Sequence, residues 1–417
     1  MSQAIVHNPD NVREVDLVVG IPSLNEADSI AGPTQAASRG LEEFFPELRA
    51  AIINVDNNSQ DGTREAFFDT PTSVPKIYVS TPPGTRGKGN NLHNLFQATV
   101  ELGARAAAVV DADLETITPS WIRYLAEPVL GDYDYVSPLY VRHKYDGTIT
   151  NHIAYPMVRS LYGLRVRQPI GGDFGFSGRL ARAYLSERSW KENVGLFGID
   201  IWMTTVAIAR RFNVCQTFLG TPKGHRPKDP AGDLTPMFKQ VVTTLFDLMI
   251  EFEYFWKDID KSRPSNVFGF GLGAAHQVPD IEVDTTALHR SFRSGFEKHG
   301  DLWREICSPE VMAEFEPLGE IENREEFSYP THLWARLLFD FAVANRNADV
   351  DQDRLIEALV PFYHSRVLAF VNRTQGMDTH DAEEYLENTT RVFQKEKPYL
   401  LRRWRGTSNN RDQRLFS

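Results

Sequence analysis

Short apolar runs alternate with helix-like stretches through the first part of the chain. Asp16-Leu17-Val18-Val19-Gly20-Ile21-Pro22 is rich in β-branched residues and predicts a buried strand that ends at a proline. Residues 29–49 then read as a helix. Ala51-Ile52-Ile53-Asn54-Val55-Asp56 predicts a second strand, followed by the turn-rich Asn57-Asn58-Ser59-Gln60-Asp61-Gly62-Thr63 and a helical stretch from Arg64. Lys76–Ser80 predicts a third strand. Gly84-Thr85-Arg86-Gly87-Lys88-Gly89 is a glycine-rich loop leading into a helix over 90–102. Ala106–Val110 predicts a fourth strand and runs into Asp111-Ala112-Asp113. Strands alternating with helices imply an α/β fold, a mainly parallel sheet flanked by helices. In such sheets ligands bind at the C-terminal strand ends, and each polar cluster above falls at one.

The pattern changes after about residue 230. Residues 236–257, 332–346, 353–372 and 380–395 read as helices, and strand signals are scarce. The expected organisation is therefore a nucleotide-binding and catalytic domain over 1–235 and a mainly helical domain over 236–417. Residues 263–282, with Phe268-Gly269-Phe270-Gly271, read as a loop. Residues 387–417 hold eight basic residues against three acidic ones and read as a solvated or frayed tail. The helical region offers either an interface for a second copy, giving a homodimer, or a cover over an acceptor. The sequence does not choose between them.

Composition narrows the function. The 417 residues are 41% hydrophobic and 24% charged, which suits a folded globular chain. A net charge of −11 argues against a nucleic-acid partner, which needs a basic surface to displace counterions. No apolar run is long enough for a transmembrane segment. The start, Met1-Ser2-Gln3-Ala4, lacks the charged and apolar regions of a secretory signal. Cys215 and Cys307 are too few for a disulfide framework and read as buried thiols. A cytoplasmic location is expected.

Asp111-Ala112-Asp113 places two carboxylates at a strand end. Hard cations such as Mg²⁺ or Mn²⁺ take oxygen ligands and bridge carboxylates to phosphates. Glu26, just past the first strand, and Asp56, closing the second, are placed to accept from a ribose or a base edge. Asp61 and Thr63 read as a turn and a helix cap. Lys88, between two glycines ahead of a helix, suits a diphosphate, although the P-loop pattern is absent.

Together these clusters resemble the GT-A glycosyltransferases. Pro22-Ser23-Leu24-Asn25-Glu26, Val55-Asp56 through Thr63, Arg86-Gly87-Lys88-Gly89 and Asp111-Ala112-Asp113 follow that family's order and spacing. Further segments resemble its retaining members that glycosylate glycerate or 3-phosphoglycerate, the mannosylglycerate, glucosylglycerate and glucosyl-3-phosphoglycerate synthases. These are Gln168-Pro169-Ile170-Gly171-Gly172-Asp173, Phe197-Gly198-Ile199-Asp200, Lys223-Gly224-His225-Arg226, and Val141-Arg142-His143 with Thr150. The sequence departs from those relatives at Asp173 and Phe197, so the donor sugar and base stay open.

The resemblance implies a nucleotide-sugar donor (a UDP-, GDP- or ADP-linked hexose) bound by Pro22, Leu24, Glu26, Asp56, Lys88, Asp111, Ala112, Gly171 and Gly172. It implies a divalent cation, Mg²⁺ or Mn²⁺, on Asp113 and His225, and a small carboxylate acceptor on Arg142 and Thr150. It implies Asp200 as the carboxylate nearest the reacting sugar, with Asp173 second. The expected reaction is transfer of glucose or mannose to the hydroxyl of D-glycerate or a similar hydroxy acid, compatible-solute chemistry. The rivals are a glucosyl-3-phosphoglycerate synthase, an inverting family-2-like transferase acting on a lipid or polysaccharide, a sugar-nucleotide pyrophosphorylase and a catalytically dead sugar-nucleotide sensor.

Overall fold

The computed structural model describes residues 4–224, 234–269, 280–347 and 350–415, with side chains through Gly406. The described residues form two compact units. One lies within Met1–Arg142, Val166–Pro227 and Pro264–Val278, the other within His143–Arg165, Lys228–Arg263 and Pro279–Ser417. Residues 143–165, which precede the expected boundary at 235, thus group with the second unit.

The first unit is built on nine strands: β1 (Ile5–His7), β2 (Leu17–Ser23), β3 (Ala50–Asp56), β4 (Lys76–Ser80), β5 (Ala106–Val109), β6 (Tyr135–Val141), β7 (Phe174–Ser177), β8 (Val214–Pro222) and β9 (Asn266–Phe268). Their order across the sheet is β1-β4-β3-β2-β5-β7-β6-β8-β9. The four strands expected from sequence, β2 to β5, run parallel and lie side by side. β7 runs antiparallel between β5 and β6, and β8 returns parallel to β6. All seven residues of β2 and of β3 are buried, as continuous apolar runs in a sheet covered on both faces must be.

One face of the sheet, with Leu17, Val19, Ile21, Ile52, Ala106 and Ala108, packs on Trp121, Ile122 and Leu125 of the Pro119–Leu130 helix. Each fully buried aliphatic side chain there contributes about 1.5–3 kcal/mol. On the other face the Lys88–Glu101 helix comes so close that a Cβ on Gly20 would meet Leu95 at 2.3 Å.

Two expectations are corrected. Within the segment read as a loop over 263–282, Asn266–Phe268 is β9, paired in parallel with Cys215–Thr217 of β8; residues 270–279 lie outside the described ones. The terminal segment read as a solvated tail belongs to one long helix, Thr379–Leu415. Phe393, Leu400 and Trp404 of that helix are buried, and Trp404 packs edge-on against Trp256 at 5.1 Å. One of its basic residues serves this packing: Arg403 donates to the fully buried Asp340, which also accepts from Tyr399 and from the Ser308 N–H.

The second unit is mainly helical, with Leu234–Glu251, Thr285–Ile306, Thr331–Asn347 and Gln352–Thr374 as its other long elements. The expected helix over 236–257 breaks at Phe252, and Glu253–Trp256 follows as a short turn of helix. Among the described residues no helix is long and apolar enough to cross a membrane. Cys215 and Cys307 are buried free thiols, as expected.

Candidate active site

The parallel strands of the first unit end on one edge of the sheet, where antiparallel β7 begins. The end of β2 is fixed from two sides. Asn54 Nδ2 donates to Ile21 O and to Ser23 Oγ, both at 2.8 Å, and Asn91 Nδ2 donates to Ser23 O at 3.0 Å. Pro22 is inside this strand, and Leu24 beyond it is 39% exposed. The chain then turns through Asn25, which adopts a left-handed φ of 56°. The Glu26 N–H donates to Thr63 Oγ1 at 2.9 Å, and Ser29 Oγ donates to Glu26 Oε2 at 2.6 Å. Asp61 braces this crossing, accepting from Ala27 N and from Thr63 N and Oγ1. The turn reading of Asp61 and Thr63 is what the geometry contains, while the helix cap position is Gly62, with no side-chain cap hydrogen bond.

Asp56, at the end of β3, is fully buried. Oδ1 accepts from Ser23 Oγ at 2.6 Å and Ser59 Oγ at 2.7 Å. Oδ2 accepts from the Ser59 N–H at 2.6 Å and Tyr78 Oη at 2.9 Å.

Beyond β5 the expected residues converge. Lys88 Nζ donates to Asp111 Oδ1 at 2.7 Å and lies 3.9 Å from Asp200 Oδ1. Lys223 Nζ donates to Asp111 Oδ2 at 3.0 Å, Asp173 Oδ2 at 2.6 Å and Gly171 O at 2.7 Å. Asp173 is fully buried and also accepts from the Asp111 N–H at 3.0 Å and from Tyr140 Oη, whose oxygen also lies 2.8 Å from Gly171 O. Arg142 stacks its guanidinium over the Tyr140 ring at 4.3 Å. Ala112 points into the core and is 3% exposed.

The glycines have steric reasons. Gly172 has φ +90°, and a Cβ there would stand 2.1 Å from Asp111 Oδ2. A Cβ on Gly87 would meet Gly195 O at 2.2 Å, and one on Gly89 would meet Val194 O at 1.8 Å. The glycines around Lys88 thus make room for the turn at Glu192–Gly195, which fixes the start of the Lys88–Glu101 helix.

Charge is distributed unevenly. Burial alone would raise Asp111, yet Lys88 and Lys223 hold its carboxyl well below the usual range. Burial works against both ammonium groups, but their carboxylate partners outweigh it and hold them charged. Asp200 differs. Burial pushes its carboxyl up, Lys88 only partly opposes this, and the nearby charge of Asp111 adds to the rise. Asp200 Oδ2 accepts from the Gly171 N–H at 3.3 Å, whereas Oδ1 is buried without a hydrogen-bond donor. The 3.9 Å between Lys88 Nζ and Asp200 Oδ1 is too long for a hydrogen bond. A hydroxyl oxygen inserted between them at about 2.8 Å from each would accept from the lysine and donate to the carboxylate.

Among the described residues no group of three or more His, Cys, Asp or Glu is gathered as a metal site. His225, one of the two expected ligands, lies outside the described residues. Asp113 fits a hard cation: its half-buried carboxylate has no hydrogen-bond or ion-pair partner among the described residues. The chain leading toward His225 is strapped to the loop after Asp113, with Gly224 N donating to Thr116 Oγ1 at 2.8 Å and Glu115 N to Gly224 O at 3.0 Å. Thr150 belongs to the second unit, in a π-helical turn, and is 2% exposed.

Sequence reasoning gave no role to Lys223 or Tyr140. Lys223 stood in a quoted segment, overshadowed by the histidine two positions on. Tyr140 stands two positions before Arg142 in the sequence, and that spacing was the available signal.

Residues 18–190 match the family model described as Glycosyl transferase family 2. That segment contains β2 to β7 and most of the residues above. Among solved structures the chain is similar to glucosyl-3-phosphoglycerate synthase from Mycobacterium tuberculosis in complex with Mn²⁺, UDP and glucosyl-3-phosphoglycerate. That match has 22% identity and a TM-score of 0.45, covering 56% of this chain and 80% of that one. The same enzyme with Mn²⁺, UDP-glucose and phosphoglyceric acid matches at 21% identity and a TM-score of 0.43, covering 56% and 79%. No curated protein matches the chain.

Proposed function

From the premise that this chain is a glycosyltransferase of GT-A fold, we propose that it moves glucose or mannose from a nucleoside-diphosphate sugar to the hydroxyl of D-glycerate or a similar small hydroxy acid, with retention at the anomeric carbon. The observation that carries the reading is the pairing of Lys88 with Asp200. A cation with donors to spare and a buried carboxylate oxygen without a donor stand one hydroxyl apart. A sugar ring offers that hydroxyl, and a nucleoside diphosphate offers the anion that Lys88 can also hold.

In this reading Lys88 binds the diphosphate side of the donor and Asp200 orients a sugar hydroxyl. The Gly171–Asp173 turn, pinned to Asp111, shapes the wall against which the sugar rests. Arg142 presents a planar fork for the acceptor carboxylate, held by its stack on Tyr140. With Thr150 buried, Arg142 carries the acceptor assignment among the described residues. Asp113, together with His225, would hold Mg²⁺ or Mn²⁺, which when bound supplies counter-charge to the leaving diphosphate. Two buried free thiols accord with a cytoplasmic enzyme.

The test is a turnover matrix. Purified protein with Mg²⁺ or Mn²⁺ meets UDP-, GDP- and ADP-glucose and GDP-mannose, each with D-glycerate, 3-phosphoglycerate or D-lactate. An α-linked glycosylglycerate is the expected product. A product formed only with 3-phosphoglycerate changes the acceptor. A β-linked product makes the enzyme inverting, a reading that the family-2 match favours and in which Asp200, with its raised carboxyl, is the general base. Donor hydrolysis without transfer to any of the three acids removes the hydroxy-acid reading.

A further inference from the structure

We propose that Lys223 is a positioning residue of this site: its ammonium is a built-in cation that ties Asp111 to the Gly171–Asp173 turn and so sets the shape of the donor wall without touching the donor. The inference rests on the glycosyltransferase reading for its kinetic consequence, but not for its geometry.

Lys223 Nζ has three protons and three close oxygen partners, at 2.6 Å on Asp173, 2.7 Å on Gly171 O and 3.0 Å on Asp111. Tyr140 Oη stands at 3.4 Å as a fourth oxygen, and its ring flanks the ammonium at 4.9 Å. The side chain is 5% exposed. No proton is left over for a ligand, in contrast to Lys88, whose one hydrogen bond among the described residues goes to Asp111. Two carboxylates, a carbonyl and a phenol oxygen around one point are the donor set of a hard-cation site, here filled by a side chain from the end of β8.

The cage joins four places in the chain. Asp111 follows β5, Tyr140 ends β6, Gly171 and Asp173 precede β7, and Lys223 follows β8. Without the ammonium, the fully buried Asp173 would keep only neutral donors, the Asp111 N–H and Tyr140 Oη, beside a second carboxylate. Like charges that close drive the turn off Asp111. That movement carries away the Gly171 N–H, which holds Asp200 Oδ2 at 3.3 Å. Lys223 thus acts on the reacting sugar through Gly171 and Asp200.

Lys223→Ala and Lys223→Met separate the charge from the volume. In Lys223→Ala, kcat with the working donor falls about 100-fold, the scale of a displacement of about 1 Å in a reacting geometry. The affinity for UDP, GDP or ADP with Mg²⁺, measured by calorimetry, stays within about threefold, because Lys88 and Asp113 are untouched. Added ammonium or methylammonium restores part of kcat in Lys223→Ala. It does nothing in Lys223→Met, whose side chain fills the cage. Lys223→Arg does not rescue, since a planar fork cannot place three oxygens around one nitrogen.

A melting-temperature measurement runs beside the kinetics. Ammonium should raise the Tm of Lys223→Ala and leave that of Lys223→Met unchanged, whatever substrate the enzyme uses. Wild-type kcat in Lys223→Met overturns the proposal. So does a loss of diphosphate affinity as large as the loss of kcat, which would place Lys223 on the donor itself. If no nucleotide sugar is turned over by the wild type, the catalytic reading fails, and selective stabilisation of Lys223→Ala by ammonium still decides the cage.

Discussion

Two sets of polar side chains share the ligand-facing edge of the sheet, and their surroundings treat them in opposite ways. Asp56 and Asp173 are fully buried with every oxygen engaged, and Lys223 has spent all three protons. Lys88, Asp113 and Asp200 have capacity left over: one hydrogen bond, no partner among the described residues, and an oxygen without a donor. Buried polar groups in folded chains are satisfied unless something else is meant to satisfy them. We propose on this ground that the saturated set holds the edge in shape and that the open set meets ligands. Residue type does not separate them, since each set holds a lysine and aspartates.

The comparison is broken most directly at Asp113. Asp113→Ala should lower metal-dependent turnover roughly a thousandfold, the loss expected when a leaving diphosphate is deprived of its counter-charge. Its Tm should stay near that of the wild type, because no contact among the described residues is lost. Chelation of the metal from the wild type should reproduce the loss of rate. A variant that keeps its rate in saturating metal, or unfolds early, takes Asp113 out of the open set.

Asp200 comes next. Asp200→Asn should lower kcat about 100-fold, through the lost carboxylate beside the sugar. Its stability should move the other way. The folded carboxyl is raised by burial above its unfolded value of about 3.9. A group raised on folding favours the fold most below that unfolded value, and the benefit is lost as pH rises through the folded one. Removing the titration should therefore make the variant gain on the wild type as pH rises from about 4 through the folded value. Paired melting curves across that range check the sign. A variant that loses ground as pH rises would mean that Asp200 is a satisfied structural carboxylate.

Arg142 sharpens the reading on the acceptor side. Arg142→Ala should raise KM for the hydroxy acid about 10- to 100-fold, the worth of a charge-assisted pair, with donor KM little changed. Equal rises in both constants would instead indicate a collapse of Tyr140, on which the guanidinium stacks.

The sequence disclosed these features unequally, for physical reasons. β2 to β5 announce themselves because a strand covered on both faces reads as a nearly continuous apolar run, as Ala50-Ala51-Ile52-Ile53 does before the polar Asn54 and Asp56. Tyr135–Val141 carries a proline and a serine, and Phe174–Ser177 is four residues long, so neither stands out from its flanks. The terminal helix was read over 380–395, but its continuation was hidden by its charge. Leu386, Thr390, Phe393, Lys397, Leu400 and Trp404 recur every three or four residues and are all buried, yet two of the six are polar. Lys397 is tolerated there because its ammonium donates to Trp256 O and Ile259 O. In the site, Asp111 and Lys88 were legible as types near strand ends, Asp173 and Asp200 through the family resemblance, and the four do come together. Which of them were spent on one another was not legible. Saturation depends on partners such as Tyr140 and Lys223, brought in from other strands.

The smallest effect on rate, and the largest on folding, is expected at Asp56, where the two ways of reading a strand-end carboxylate part company. The family resemblance puts Asp56 on the nucleotide. The structure surrounds it with four donors, two on each oxygen. Asp56→Asn turns one of those oxygens into a donor facing two donors. Leaving such buried groups unpaired costs about 1–3 kcal/mol each, so a loss of roughly 2–4 kcal/mol is expected. At a temperature where the variant is folded, its affinity for UDP, GDP or ADP should fall by no more than about tenfold, through a slightly displaced strand end rather than a lost contact. A stable variant with nucleotide affinity abolished would show that one of the four donors yields to the ligand. A full complement of hydrogen bonds in the free protein would then no longer mark a residue as scaffold. A destabilised variant with near-normal affinity would place Asp56 with Asp173 and Lys223, and leave recognition of the base to Glu26 and the backbone around Leu24.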